Sequence, residues 1–229
     1  MIQYGLISQT DARVLEKTID LICDGCNDET INVCEIGIYG GATGNGLREY
    51  VQSKMYYVDM RGGGHKMGGG GNRKIFLTGI DNNKDGEEVR HKYDKLIIGN
   101  SNEVYNQLGD NSQHLIFVDG CHCFAHVVSD FFCYAPKVKV EGYIAFHDTG
   151  KHIRPFKDFQ HGDEKNPDAY ISVRKALETI GLFRQYGSGS MNYNETWIEH
   201  TGAFGFELML DEADETNEAG GICVFKKLY

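Results

Sequence analysis

Residues 31–44 read INVCEIGIYGGATG, an apolar run that passes directly into a glycine-rich turn. The run from Ile31 to Ile36 is short and rich in β-branched residues, which is typical of a buried strand. After the turn, Leu47, Tyr50 and Val51 recur at helical spacing. The stretch therefore predicts a strand, a tight turn and a helix, which together form a building unit of α/β folds.

The same alternation of strand and helix continues along the chain. We predict further strands at 55–60, 95–98, 114–118 and 142–146, and a final pair at 204–210 and 222–226. Strands that alternate with helices form a parallel sheet with right-handed crossovers. The last two strands are joined by a loop and can pair antiparallel. We therefore expect a seven-stranded, mostly parallel sheet with an antiparallel C-terminal hairpin and helices on both faces, a Rossmann-like α/β architecture.

Helix signals flank these strands. We predict a helix over 8–24, with Ser8 and Asp11 at capping-box spacing, and one over 101–108 that Ser101 caps. Another helix should begin at Pro167 after an Asn166 cap and end at Gly181. The apolar face of the first helix is predicted to consist of Val14, Leu15, Leu21 and Ile22. That of the helix before Pro136 is predicted to consist of Phe124, Val127, Val128, Phe131 and Phe132.

One segment interrupts this pattern. Seven glycines fall within residues 62–71, and a regular element there would be costly in backbone entropy. We interpret 61–92 as a long insertion within a single domain that spans 1–229, and we expect it to act as a lid or to be disordered.

Composition limits the function classes. The chain has 23 basic and 33 acidic residues, a formal net charge of −10, which disfavours a nucleic-acid partner. No stretch approaches the roughly 18 apolar residues of a membrane span, and residues 1–4 lead into no basic-then-apolar leader, so we expect a cytoplasmic protein without a membrane partner. A homo-oligomer is left open.

The seven cysteines are an odd number, which fits buried thiols in a reducing compartment. Cys121 and Cys123 flank His122, an arrangement that invites a zinc interpretation. We disfavour it, because Cys23 and Cys26 lie far away in sequence and no four-ligand pattern is complete.

Distinctive polar or glycine residues stand at the predicted strand ends: Glu35 and Gly37, Asp59, Asn100, Asp119, and His147 with Asp148. In open parallel sheets, ligands bind outside the carboxyl ends of the strands. The first turn lacks the Gly-x-Gly-x-x-Gly pattern of dinucleotide sites, whereas Asp59, at the end of the second strand, can accept both hydroxyls of a ribose. Together these features indicate a ligand that contains adenosine but no diphosphate.

Three segments carry a resemblance to a known family. Residues 33–43, 115–122 and 142–149 read VCEIGIYGGAT, LIFVDGCH and GYIAFHDT. The first resembles the leading motif of class I S-adenosylmethionine-dependent methyltransferases. The other two resemble the branch that includes the sugar O-methyltransferases of macrolide biosynthesis, which has Asp-Gly-x-His followed by a strand that ends in His-Asp or Asp-Asp. The resemblance covers 31–60 and 94–149.

This resemblance implies the class I methyltransferase fold and a set of site residues. Glu35 would organise the turn under the methionine part of the cofactor, Asp59 would hold the ribose, and Asp119 would lie beside the sulfonium. The cofactor-binding residues it implies are Glu35, Gly37, Tyr39, Gly40, Gly41, Thr43, Asp59, Asn100, Ser101 and Asp119. One departure is Asn100, because the family usually has an acidic residue there.

The resemblance also implies catalytic and metal-binding residues. His122 matches the position of a proposed general base, with Asp119 beside the reacting centre. In metal-using members the carboxylates that follow the fourth and fifth strands bind Mg²⁺, so Asp119 and Asp148 are candidate ligands. Simpler roles stay open: Asp119 could cap the next helix, His122 could face solvent, His147 could fill a buried polar role, and Asp148 could cap a turn with Thr149.

The function that we expect is therefore S-adenosylmethionine-dependent methylation of a small-molecule acceptor, on oxygen, with Mg²⁺ as an optional cofactor. Three alternatives stay open. The chain could be a catalytically silent S-adenosylmethionine-binding protein, an NAD-dependent oxidoreductase on a related fold, or an iron-dependent hydroxylase of methyltransferase-like lineage.

Overall fold

The structure is a computed structural model. It describes residues 7–26, 30–38, 42–51, 53–59, 95–150, 154–155, 170–183, 205–212 and 220–229. The predicted insertion at 61–92 lies outside this part of the chain, as do Tyr39, Gly40 and Gly41 of the first turn.

One seven-stranded sheet organises the fold, with strand order β3-β2-β1-β4-β5-β9-β8. Its strands are β1 (Ile31–Ile36), β2 (Ser53–Asp59), β3 (Lys95–Ile98), β4 (Gln113–Val118), β5 (Val138–His147), β8 (Phe206–Glu212) and β9 (Ile222–Lys227). The neighbouring strands β3, β2, β1, β4 and β5 run parallel to one another. In contrast, β9 pairs antiparallel with both β5 and β8. The predicted mostly parallel sheet with an antiparallel C-terminal hairpin is confirmed.

The strand order reverses direction at β1. The chain runs outward from β1 through β2 to β3, and then returns to place β4 on the other side of β1. The connections therefore diverge between β1 and β4 and leave a crevice at the carboxyl ends of these two strands. Such switch points are where open α/β sheets bind ligands.

Helices cover both faces of the sheet, as predicted. The helices are α1 (Gln9–Gly25), α2 (Ala42–Tyr50), α3 (Ser101–Val104), α4 (Phe124–Tyr134) and α5 (Val173–Thr179). Alternate strand residues point to opposite faces, so β1 sends Val33 into a core with α1 and α2, and Cys34 into a core with α4 and α5. Both side chains are fully buried.

Two predicted core side chains are exposed instead. Leu21 is 36% and Phe132 48% exposed, so their assignment to apolar helix faces was wrong. Successive helical residues differ by about 100° around the axis, so a residue directly beside a buried neighbour can point away from the sheet. In α1 the buried stripe includes Ile19 and Thr18, and Thr18 donates a hydrogen bond to the carbonyl oxygen of Val14 at 2.8 Å.

The starts of two helices also differ from the predictions. Asn100, not Ser101, caps α3, because its side-chain oxygen accepts a hydrogen bond from the Asn102 amide at 3.2 Å. The fifth helix begins at Val173, since Tyr170–Ile171 (β7) pairs with Arg154–Pro155 (β6) in a small separate sheet. Asn166 and Pro167 lie outside the described residues. Gly181 follows the end of α5 with a positive φ of 86°, in agreement with its predicted role as the stop.

Among the helices of the described ranges, none combines the length and the apolar character that a membrane span requires.

The capping box at the start of α1 is complete. The Asp11 amide donates to Ser8 Oγ at 3.0 Å, and Asp11 Oδ2 accepts from the Ser8 amide at 3.1 Å. Asp11 is only 2% exposed. The predicted capping box is therefore confirmed, and it fixes a buried carboxylate at the helix N-terminus.

We predict that Ser8→Ala lowers the free energy of unfolding by about 1 kcal/mol, because it removes the side-chain cap of α1. The measurement is urea denaturation followed by circular dichroism. Thr10→Ala, an exposed change two residues further on, is the matched control and should be nearly neutral. Equal losses in the two variants would contradict a stabilising role for the cap.

Candidate active site

The centre of the site is a close approach between two backbone turns at the switch point. The Gly37 amide donates to the Val58 carbonyl at 2.9 Å, and the Asp119 amide donates to the Ile36 carbonyl at 2.9 Å. Gly37 has a φ of 86°, and a Cβ there would overlap the carbonyl oxygen of Asp119. Glycine is therefore required at this position both for its backbone conformation and for the space.

Glu35 lies beneath this turn and is 1% exposed. Its carboxyl accepts a hydrogen bond from the Gly44 amide, whereas Oε2 is buried with no hydrogen-bond partner. Burial, reinforced by the nearby Asp119 and Asp59 carboxylates, raises the pKa of Glu35 well above its ordinary value, although the Gly44 hydrogen bond acts in the opposite direction. Its surroundings thus favour the neutral form of Glu35, and one of its carboxyl oxygens has no hydrogen-bond partner.

Asp59 ends β2 beside the same turn and is 5% exposed. Its Oδ2 accepts a hydrogen bond from the Ile38 amide at 3.1 Å, and its carbonyl accepts one from the Gly99 amide at 3.0 Å. These bonds join the ends of β1, β2 and β3. Thr43, in the first turn of α2, is also buried.

Asn100 and Ser101 follow β3 at the start of α3. Ser101 Oγ donates to Asp130 Oδ1 at 2.6 Å, and the Ser101 carbonyl accepts from the Tyr134 hydroxyl at 3.0 Å. Burial raises the pKa of Asp130 to about 6, although the Ser101 hydrogen bond works in the opposite direction. The structure therefore ties Ser101 to α4 and leaves the Asn100 side chain in its capping role.

Asp119, His122 and Asp148 come together on the other side of the switch point. Their ligating atoms lie within 4.8 Å of one another, and His122 Nε2 is 3.3 Å from Asp148 Oδ2. The His122 carbonyl also accepts a hydrogen bond from the Ser172 amide at 3.0 Å, which holds its loop against the start of α5. Asp148 has a positive φ of 55°, a conformation that aspartate tolerates better than most residues.

The simpler roles considered for these residues can now be compared with the structure. Cys123, not Asp119, is the cap residue of α4. The His122 side chain is 23% exposed and contacts Asp148, so it does not simply project into solvent. His147 does fill a buried polar role.

His147 connects this group to the first helix. Its Nδ1 is 3.0 Å from Asp119 Oδ1, and its Nε2 is 3.3 Å from Asp11 Oδ2. Burial disfavours the charged imidazole, but the carboxylates of Asp119, Asp11 and Asp148 outweigh it and raise the pKa of His147 well above its ordinary value. Burial acts to raise the pKa of Asp11, yet hydrogen bonds to His147 and Ser8 leave it lowered. An imidazolium ion thus lies between two carboxylates under the site.

Asp11 and His126 are the residues that sequence reasoning missed. Asp11 was recognised only as a helix cap, although it lies against a histidine 136 positions away. Spacing within the first helix carries no signal for such a contact. For His126 the signal was available, because His126 follows Cys123 by three residues and helical residues at this spacing lie on the same side.

The cysteines of the loop after β4 associate with His126 and not with His122. Cys121 Sγ is 3.3 Å from Cys123 Sγ, which is 2.8 Å from His126 Nδ1. The hydrogen bond from Cys121 and the contact with His126 outweigh burial and lower the pKa of Cys123 to about 5. The loop that follows β4 therefore contributes side chains to two separate clusters, one with Asp148 and one with His126.

Comparison with known proteins identifies the family to which these features correspond. A protein family described as a methyltransferase domain matches residues 34–149, which is just over half of the chain. This range runs from β1 to the turn after β5 and contains Glu35, Asp59, Asp119 and Asp148. No curated protein matches the chain.

Solved structures share the overall fold at low sequence identity. The cofactor-bound protein Rv0187 from MTB is 12% identical, with a TM-score of 0.57 over 97% of this chain and 81% of that one. The O-methyltransferase TomG from Streptomyces achromogenes, solved with S-adenosylmethionine, is 11% identical, with a TM-score of 0.57 over 97% and 82%. An O-methyltransferase from Bacillus cereus, solved with S-adenosylhomocysteine, is 12% identical, with a TM-score of 0.55 over 99% and 84%.

We predict that Glu35→Gln becomes more stable relative to the parent chain as the pH rises. The unfolded chain loses this proton near pH 4.5, whereas the folded chain retains it to higher pH because its pKa is raised. Between the two values the folded state binds more protons. The parent's free energy of unfolding therefore falls with pH, by at most about 1.4 kcal/mol per unit, and the isosteric glutamine removes this dependence.

The measurement is urea denaturation of both chains from about pH 4 to about pH 8. Glu49→Gln, an exposed change on α2, is the control for a general loss of negative charge. A stability difference that does not vary with pH would show that Glu35 has the same pKa in the folded and the unfolded chain, and would contradict the raised pKa.

Proposed function

The chain belongs to the methyltransferase-domain family, and on that premise we propose that it is an S-adenosylmethionine-dependent enzyme that methylates an oxygen atom of a small molecule. The observation that carries the proposal is the set of carboxyl groups at the switch point. Glu35 lies one residue before the end of β1, Asp59 ends β2, and Asp119 follows β4; these three strands are adjacent and parallel, and Gly37 opens the space between the three residues.

The charge of this crevice favours a cationic cofactor. S-adenosylmethionine carries a positive sulfonium and a positive ammonium group, whereas a dinucleotide carries a negatively charged diphosphate. Asp59, Asp119 and Asp148 offer carboxylates, and the nearby imidazolium of His147 is already held between Asp119 and Asp11. Carboxylates attract the first ligand and repel the second. The carboxylates of the crevice therefore disfavour the alternative of an NAD-dependent oxidoreductase.

The described residues fit the parts of this cofactor. The unpartnered Oε2 of Glu35 lies beside the glycine turn and can accept a hydrogen bond from the ammonium group. The Asp59 carboxylate, which accepts a hydrogen bond from the Ile38 amide at the end of β2, is the proposed acceptor for the ribose hydroxyls. We retain Asn100 and Ser101 as the residues next to the adenine, and Gly37 and Thr43 as part of the methionine site. Tyr39, Gly40 and Gly41 remain proposed members of the same turn.

In the proposed reaction the acceptor oxygen attacks the methyl carbon in line with the sulfonium. The new O–C bond forms as the C–S bond breaks, and the electron pair of that bond goes to sulfur, which leaves as a neutral thioether. His122 takes the acceptor's proton on Nδ1, while its Nε2 donates to Asp148, which orients the ring and stabilises the resulting imidazolium. Asp119 lies beside the reacting atoms, where His147 holds it in place. Most of the acceleration comes from alignment of the two reactants.

A Mg²⁺ ion fits the same group of residues. Asp119 and Asp148 supply carboxylate oxygens close enough to share one ion, and Asp119 keeps Oδ2 unused by His147. When bound there, Mg²⁺ would lower the pKa of the acceptor hydroxyl and orient it. Asp148 Oδ2 contacts His122, so an ion at this oxygen would compete with the histidine.

The charge and the cysteines of the chain bear on its partner and its location. The net charge of −10 supports a small-molecule acceptor over nucleic acid. The seven cysteines, all within the described ranges, form no disulfide, which supports the cytoplasm as the proposed location.

We predict that Asp59→Asn weakens S-adenosylmethionine binding by about 10- to 100-fold, because a charged acceptor of the ribose hydroxyls is lost. Asparagine can still accept the Ile38 hydrogen bond, so the fold should be retained. The measurement is isothermal titration with S-adenosylmethionine and S-adenosylhomocysteine, with NAD as a third ligand and Glu49→Gln as the control variant. Tight NAD binding, or no binding of either adenosyl ligand by the parent chain, would contradict the proposal. Cofactor binding without turnover across a broad acceptor panel would instead support a silent binding protein.

We predict that the chain binds one Mn²⁺ ion, used as a paramagnetic substitute for Mg²⁺, and that Asp148→Asn weakens this binding by at least about tenfold. Asparagine tolerates the positive φ of this position, so the backbone should not change. The measurement is the loss of the free Mn²⁺ electron-paramagnetic-resonance signal, with competition by Mg²⁺. Asp110→Asn, at an exposed carboxylate paired with Lys137, is the control. If the parent chain, Asp148→Asn and Asp110→Asn all bound Mn²⁺ with equal affinity, the ion would lie elsewhere on the acidic surface. That result would contradict the proposed site.

A further inference from the structure

A second group of ligating side chains lies beside the candidate active site and has no part in the proposed transfer reaction. Cys121, Cys123 and His126 span the end of the loop after β4 and the first turn of α4. Their two sulfur atoms and one ring nitrogen all lie within 4.8 Å of one another. His122, which stands between the cysteines in sequence, belongs instead to the group with Asp119 and Asp148.

The donor atoms of the two groups have different chemical preferences. Thiolate and imidazole ligands select soft or borderline metals such as Zn²⁺, whereas carboxylate oxygens suit Mg²⁺. Two clusters of opposite preference therefore share one short loop, with His122 assigned to the oxygen-rich group and His126 to the sulfur-rich group.

The geometry is close to what a tetrahedral zinc ion needs. With Zn–S bonds of about 2.3 Å, two sulfur ligands lie about 3.8 Å apart, and a sulfur and a nitrogen ligand slightly closer. The distances here are 3.3 Å between the sulfur atoms and 2.8 Å between Cys123 Sγ and His126 Nδ1. Each of these two pairs needs to separate by less than about 1 Å, and the donors of Cys121 and His126 already lie within 4.8 Å; side-chain rotation at these half-exposed residues can supply such a change.

We propose that Cys121, Cys123 and His126 form a Zn²⁺ site with three protein ligands and an open fourth position. Cys123 is buried and anchors the ion against α4, while the half-exposed Cys121 and His126 leave a side accessible to solvent. Three protein ligands and one open position are typical of zinc sites that exchange their fourth ligand. The bound ion ties the loop that carries Asp119 and His122 to α4, so zinc occupancy controls how firmly that loop is held.

The test is titration of the reduced protein with Co²⁺, whose thiolate complexes show charge-transfer absorption, in the presence of a non-coordinating phosphine reductant. The background chain carries Cys23→Ser and Cys26→Ser. These changes remove the second pair of cysteines that are close to each other in sequence and could bind Co²⁺. We expect one equivalent of Co²⁺ to produce the thiolate bands, Zn²⁺ to abolish them, and excess Mg²⁺ to leave them unchanged.

Variants in this background assign the ligands. Cys121→Ser and His126→Asn should each weaken Co²⁺ binding by at least about tenfold, since loss even of an outer-shell partner has such an effect. Both positions are half-exposed, so the fold should survive, and circular dichroism checks this. Cys133→Ser, on the same helix α4, is the matched control and should leave the bands intact.

Absence of thiolate bands, or bands that survive both Cys121→Ser and His126→Asn, would overturn the proposal. Co²⁺ binding requires neither the nucleoside cofactor nor an acceptor. Failure of this test therefore leaves the proposed methyltransferase function untouched, and failure of S-adenosylmethionine binding leaves the zinc proposal untouched.

Discussion

The contact between the Gly37 turn and the backbone of Asp119 is the constraint on which the site depends. It exists because β1 and β4 are neighbours in the sheet although about 80 residues separate them in the chain. The absence of a side chain at Gly37 lets the two turns meet, and the hydrogen bond from the Asp119 amide to the Ile36 carbonyl joins them. Glu35 on one strand and Asp119 on the next thereby become parts of one crevice.

Concentrating carboxyl groups in this crevice has an electrostatic cost, and the protein reduces it in two ways. Burial and the neighbouring carboxylates raise the pKa of Glu35, which favours its neutral form. His147 is kept as a cation between Asp119 and Asp11. The capping box of α1 therefore serves more than its own helix, because Asp11 also forms part of the ion pair beneath the site. Asp59, Asp119 and Asp148 place carboxylates around the position that we propose for a cationic cofactor.

Much of this arrangement could be predicted from local patterns. The apolar runs predicted the strands, the glycine turn predicted the crevice, and the polar residues at the strand ends predicted Asp119 and Asp148 near one another. What local patterns do not contain is the direction of a side chain across long sequence separations. The contact between His147 and Asp11 depends on how α1 packs against β5, and the exposure of Leu21 and Phe132 depends on the rotation of their helices. The pairing of Cys123 with His126 instead of the adjacent His122 has a local cause, because residues three apart in the first turn of α4 lie on the same side of the helix.

The central claim is that an adenosyl cofactor occupies the crevice between β1 and β4. The most direct measurement is a crystal structure of the chain with S-adenosylhomocysteine. We predict that the ribose hydroxyls lie within hydrogen-bond distance of the Asp59 carboxylate, and that the thioether sulfur faces the Asp119 side of the crevice. A ligand bound elsewhere on the protein, or one bound in the crevice with its ribose away from Asp59, would contradict it.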